Sequence, residues 1–278
     1  AGKAITTGIK NTIVGGIAGD AITTGLNNTL LGYNSGGALV GGSYNVALGY
    51  FALASEDAHG RNVAIGWRSL QNQNAGADAY NVAIGYDSGL SISTGTLNTI
   101  VGGLAGDALT TGAQNTAIGH EALSTEDTGA RNTAIGEGSL KTLNFDGNGY
   151  NVAVGYNSGH LISTGVNNTI IGSLAGDALT TGSNNVAIGK GALSTEDANG
   201  YNVAIGHQTL KVQNAGSDAY NVAVGYDAGV SVTTGVNNTL VGSFSGDALT
   251  TGVSNVALGY AALSSAQTSN YNTAIGER

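Results

Sequence analysis

Three acidic pairs, Glu56-Asp57, Glu126-Asp127 and Glu196-Asp197, carry the functional groups of general acid–base hydrolysis, and they recur at one fixed interval along the chain. If each such interval folds into four stacked coils, successive pairs stand about 19 Å apart. That is outside the range of two cooperating glycosidase carboxylates, so the pairs read as a repeated acidic loop. The histidines His59, His120, His160 and His207 hold differing positions within their repeats and lack the spacing of a metal cluster, which predicts solvated side chains. Asp20, Asp107, Asp177 and Asp247 share the phrase Gly-Asp-Ala-(Leu or Ile)-Thr-Thr-Gly, whose oxygens could ligate calcium where coils stack. The dense Asp pattern of calcium-binding solenoid repeats is missing, so a turn is the expected role. No Gly-Lys-Ser or Gly-Lys-Thr follows a strand, and the glycines form no phosphate loop. The sequence therefore predicts neither an enzyme nor a bound cofactor.

What must position these residues is a repeat. Asn followed by Thr or Val, two further apolar residues and Gly occurs sixteen times. The Asn positions are Asn11, Asn28, Asn45, Asn62, Asn81, Asn98, Asn115, Asn132, Asn151, Asn168, Asn185, Asn202, Asn221, Asn238, Asn255 and Asn272. Their spacings cycle through 17, 17, 17 and 19, so four 70-residue super-repeats overlie the single coil. Counting from the Asn, position 4 is always Gly, position 7 is small, position 8 is Gly or Leu, and position 14 is most often Gly. Triplets such as Val82-Ala83-Ile84 suit short strands bounded by Gly corners, and a repeat this short leaves no room for a helix pair with its turns. The expectation is one continuous all-β domain over residues 1–278, a parallel β-solenoid with about 4.8 Å between coils and Asn stacked over Asn in an amide ladder.

Composition sets outer bounds on function. With 47 Gly, no Pro and only 10% charged residues the chain is unlike an ordinary globular domain, yet 41% of it is apolar and the apolar residues recur in register, which argues for order. The net charge of -9 leaves no basic stripe for nucleic acid or an anionic membrane. No apolar run is long enough for a membrane span, and no Cys is present for disulfides or thiolate metal sites. The absence of Met implies that the chain begins after processing or inside a longer gene product.

All three residues after each Asn are apolar or Thr, and alternation places the middle one on the face opposite its neighbours. A strand apolar on both faces is buried on both, whereas one coil encloses a single interior. Either a second chain covers the other face, where Ala47, Ala64, Ala83 and Ala117 would permit close approach, or the coil folds its own loop over it. On this reading Ile84 belongs to a buried column.

Written out as Asn-Val-Ala-Ile-Gly-x-x-Ala-Leu, as at Asn185 to Leu193, the repeat resembles the head of YadA-like trimeric autotransporter adhesins. It is also similar to the Asn-Thr-x-Ile-Gly repeats of phage tail fibres. The resemblance spans essentially the whole chain and implies a left-handed β-roll, three chains side by side, and attachment at a bacterial or viral surface. The coils, at spacings of 17 or 19, are longer than the usual adhesin-head repeat. The ends also match in phase: joining Arg278 to Ala1 would restore a spacing of 17, which suggests a head-to-tail filament with contact between those residues.

Position 5 forms a variable, outward column that includes Tyr33, Tyr50, Trp67, Tyr86, Tyr156, Tyr226 and Tyr260, with more tyrosines just before the Asn at Tyr44, Tyr80, Tyr150, Tyr201, Tyr220 and Tyr271. Such rows could stack on sugars, or shield coil edges and lie between chains. The sequence thus points to a self-associating structural subunit of an extracellular or virion fibre serving attachment. A receptor- or glycan-binding adhesin head is the alternative, and an ice-binding solenoid built on pairs such as Thr23-Thr24 is a weaker one.

Overall fold

The computed structural model of the chain describes residues 1–277. It contains sixteen strands of three residues, from Thr12–Val14 to Thr273–Ile275, each beginning directly after one of the sixteen Asn, and among the described residues there is no helix. The chain is therefore an all-β parallel β-solenoid. It divides into two compact units, one of Ala1–Glu137 with Asn144–Asn148, the other of Gly138–Leu143 with the described residues from Gly149 on. Each unit carries eight strands on the same plan.

Neighbouring strands within a unit pair in parallel and in register, Thr12 with Thr29 and Ile13 with Leu30, for example. The longer spacing found once inside each unit does not disturb this. Val63 still pairs with Val82, and Val203 with Val222, because the two extra residues are taken up in the loop beyond the strand. A one-residue slip would turn every side chain to the wrong face, so the register is held strictly.

Two glycine columns make this stacking possible, for different reasons. At position 4 the backbone has φ between 127° and 144° from Gly15 to Gly276, a region that side-chain-bearing residues avoid. At position 14 the requirement is proximity: a Cβ on Gly25 would collide with the Gly42 carbonyl oxygen of the next coil. Larger residues stand at position 14 in four coils: His59 and Asn199, each before a long coil, Ser269 before the last, and Asp146 within a long coil; Gly129, also before a long coil, keeps the rule.

The Asn does more than stack. Within the first unit its Oδ1 accepts the backbone N–H of the next coil's Asn, as from Asn28 to Asn11 at 2.9 Å and from Asn98 to Asn81 at 2.8 Å. The second unit repeats this, with Asn238 donating to Asn221 at 2.8 Å. The Nδ2 crosses its own coil and donates to the carbonyl of position 14, from Asn98 to Gly112 at 2.9 Å and from Asn168 to Gly182 at 2.9 Å. The expected side-chain ladder is thus mainly a side-chain-to-backbone ladder, with direct Nδ2-to-Oδ1 contacts only in some coils, such as Asn255 to Asn238 at 3.1 Å. In the long coils that begin at Asn62 and Asn202 the cross-coil bond to position 14 is lost, because the longer loop carries that carbonyl elsewhere. Asn202 donates to Gly200 instead, at 3.4 Å, and Asn62 Nδ2 has no partner.

The interior is filled by the middle strand residue and positions 7, 8 and 11. Coils with Leu30 or Ile100 in mid-strand have Gly36 or Gly106 at position 8. Coils with Ala47, Ala64 or Ala187 there have Leu53, Leu70 or Leu193, all fully buried. The exchange is steric: a Cβ on Gly36 would come within 2.9 Å of Leu30 Cδ2. Where Ala83 is followed by Gly89, the space is taken from the preceding coil, since a Cβ on Gly89 would stand 3.1 Å from Leu70 Cδ2. Leu at position 8 is held at φ between 48° and 59°. That conformation costs about 1–2 kcal/mol, and burial of the side chain, worth about 1.5–3 kcal/mol, offsets it.

Candidate interaction face

The first and third residues of every strand point out of the coil and the middle one points in. Val46-Ala47-Leu48 and Val186-Ala187-Ile188 show the pattern, half-buried, buried, half-buried. This corrects the expectation that the frequent Ala lines the second face: Ala47, Ala64, Ala83 and Ala117 are fully buried inside their coils. Small side chains there make room for Leu at position 8 rather than for another chain. Ile84, expected in a buried column, is 37% exposed on the outer face. The coil's own loop does not cover this face, since Val14, Leu31, Ile171 and Leu258 are all exposed on it.

In each unit the outward strand positions form two adjoining columns made only of Thr, Val, Ile and Leu. No charge interrupts them. Exposed aromatic rings stand along both borders of the face, at position 5 on one side and just before the Asn on the other, interspersed with residues such as Glu137, Lys190 and Arg61. The exposure predicted for position 5 holds: Tyr33, Tyr50, Trp67, Tyr86, Tyr156, Tyr226 and Tyr260 are all exposed, and so are Tyr44, Tyr80 and Tyr150. Tyr50 is stacked between Tyr33, with ring centres 5.6 Å apart, and Trp67, 4.2 Å apart. Arg61 lies between Tyr44 and Tyr80, its guanidinium 5.5 and 5.4 Å from the two rings, and bonds Asp78 at 2.7 Å. In the second unit Tyr201 stacks on Tyr220, and Tyr226 lies between His207 and Phe244. The tyrosines before the Asn take positive φ, 61° at Tyr44 and 62° at Tyr201, which turns the ring away from the interior.

The acidic loops differ from expectation. Glu56, Glu126 and Glu196 are completely buried at position 11, an interior column otherwise filled by residues such as Ile22, Leu39 and Leu109. Burial pushes each of these carboxyls above the usual range, against hydrogen bonds that lower them. Glu126 is well held, Oε1 accepting the Gly129 N–H at 2.7 Å and Oε2 the Phe145 N–H at 3.2 Å. Glu196 Oε1 accepts from the Asn199 side chain at 3.0 Å, and its Oε2 has no partner. Of the histidines, His207 lies 3.3 Å from Asp227, His160 Nδ1 bonds the Gly138 carbonyl at 3.0 Å, and His59 falls beside Glu56 and Asp57. The last grouping departs from the sequence expectation, in which the histidines join no metal-spaced cluster.

Asp107, Asp177 and Asp247 keep their turns half-buried, and burial raises all three; Asp20 pairs with the Ala1 amino group at 3.3 Å. Arg278, the other half of the suggested end-to-end contact, lies outside the described residues. No family model matches the chain, and no curated protein matches it.

Proposed function

We propose that the chain is a structural subunit of an extracellular or virion fibre serving surface attachment, in which copies of the chain meet through the outer sheet face. The observation that carries this reading is the uncharged outer face of each unit, a column of Val, Ile and Leu beside one of Val and Thr, with exposed aromatic rings along its borders. Soluble surfaces rarely leave contiguous apolar area of this kind uncovered, and interface cores are poor in charge and rich in aromatic residues. The repeat adds length without changing the face, so the same contact extends coil by coil, as a shaft requires. The resemblance to adhesin heads and tail fibres supports the attachment setting.

A glycan-binding surface is the second reading, favoured by the shallow groove where Tyr50, Phe51, Trp67, Arg68 and Gln71 meet. Sugars stack on free aromatic faces, however, and Tyr50 has both faces occupied by its neighbours. The Tyr50 ring therefore serves first to hold coil to coil. Electron microscopy of the purified protein over a range of concentrations tests the fibre reading. Elongated multi-chain particles are expected, and single-chain particles at every concentration, with binding on a glycan array, would replace it with the adhesin reading.

A further inference from the structure

The three acidic loops are internal copies of one another, and only the first brings a third donor to its carboxylates. One carboxylate oxygen each from Glu56 and Asp57 and a ring nitrogen of His59 lie within 4.8 Å of one another. We propose that this loop binds a divalent transition-metal ion of the zinc class through Glu56, Asp57 and His59.

The second observation lies in the unused donors. Glu56 is 0% exposed and its Oε2 has no hydrogen-bond partner, while the buried His59 Nδ1 has none either. Buried polar atoms are normally satisfied, and two in one four-residue loop, both good metal donors, call for an occupant. The sister loops hold the same Glu differently. Glu126 fills both oxygens with backbone N–H groups, and Glu196 Oε1 receives the side-chain amide of Asn199 while its Oε2 stays without a partner, so it is the unpaired ring nitrogen that sets the first loop apart. In the first loop the Ala75 N–H, at the position of Phe145, faces Glu56 without completing a bond to Oε2. His59, at the position of Asn199, leaves its Nδ1 free.

The loop is fixed for the purpose. The Asp57 carbonyl accepts the N–H groups of Val40 and Gly41 at 2.6 and 3.1 Å, the His59 N–H donates to Glu56 Oε1 at 3.2 Å, and Gly60 donates to Asp78 at 3.1 Å. A tetrahedral ion about 2.0–2.1 Å from each donor holds its ligands about 3.3 Å apart. Rotation of the exposed Asp57 side chain closes the difference, and water completes the shell. One imidazole with two carboxylates favours zinc over calcium or magnesium, which prefer larger all-oxygen shells.

The test is calorimetric titration of the chelator-treated full chain with Zn²⁺, alongside His59→Asn, which installs the residue already present at 199. One His59-dependent ion per chain is expected, with a rise in melting temperature that His59→Asn abolishes without lowering the metal-free melting temperature. Asp57→Asn, at an exposed position, should weaken binding at least tenfold. No zinc binding by the wild-type chain at micromolar concentrations, or unchanged stoichiometry in both variants, would overturn the proposal.

Discussion

Replacing Asn98 with Ala removes two bonds that no neighbour can remake. Asn98 is fully buried, its Oδ1 accepts the Asn115 N–H at 2.9 Å, and its Nδ2 donates to the Gly112 carbonyl at 2.9 Å. The substitution orphans both backbone groups at about 1–3 kcal/mol each, so the expected loss is about 2–6 kcal/mol. Against a domain stability of about 5–15 kcal/mol this is large but survivable. Asn272 in the last coil is the control: its Nδ2 bonds Asn255 Oδ1 at 3.0 Å and the Asn270 carbonyl at 3.1 Å, in surroundings open to water. Asn272→Ala should cost under about 1 kcal/mol, because water satisfies what the side chain leaves. Amide hydrogen exchange is the assay, since a coil array need not unfold in one step. At about 1.4 kcal/mol per decade, exchange at Asn115 should accelerate by at least about 30-fold in Asn98→Ala. Equal destabilisation by the two variants would refute the assignment of Asn as the clasp of each coil.

The exchange of bulk between mid-strand and position 8 predicts that Ala47→Leu costs about 1–3 kcal/mol by overpacking and Leu53→Gly about 2–5 kcal/mol by leaving a cavity, while the double variant, which copies the Leu30 and Gly36 coil, recovers most of both in thermal unfolding. Additive losses would disprove the pairing. Ala83→Asp should cost at least about 3 kcal/mol by burying an unpaired carboxylate, and the adjacent Ile84→Asp distinctly less, measured by urea unfolding; equal costs would undo the assignment of inner and outer faces. Burial raises the Glu196 carboxyl in the folded chain, so the unfolded chain ionises first and stability falls as pH rises from the ordinary carboxylate range toward the folded value. Glu196→Gln should flatten that fall and raise the melting temperature at pH 7; a melting curve with unchanged pH dependence would contradict it.

The coil, its strands and its corners are legible in the sequence because sixteen registered copies repeat the same demands: Asn before the strand, Gly where φ requires it at position 4, and Gly in most coils where proximity favours it at position 14. Which strand face is interior is not legible from Val-Ala-Ile, since both faces are apolar. The deciding signal lies six residues on, where Leu53 stands in for Gly36 as Ala47 stands in for Leu30, a complementarity that only a shared interior requires. Buried Glu56 escapes a sequence reading because an acid in a Gly-rich loop looks solvated, although Ile22 and Leu39 at the same coil position mark the column as interior. His59 escapes it as a ligand because its neighbours Glu56 and Asp57 lie in a corner loop, where chain curvature rather than helix or strand spacing brings donors together.

The central claim, that the outer sheet face joins copies of the chain, is tested most directly by the solution mass of the wild-type protein and of the double variant Leu31→Lys, Ile171→Lys, one outward charge in each unit. Both side chains are exposed in the single chain, at 50% and 38%, so the fold should tolerate the change. Light scattering should give a multiple of the chain mass for the wild type and a single chain for the variant, with similar thermal unfolding after dissociation. A wild-type chain that stays single at every concentration, or a variant that assembles as before, would contradict the account.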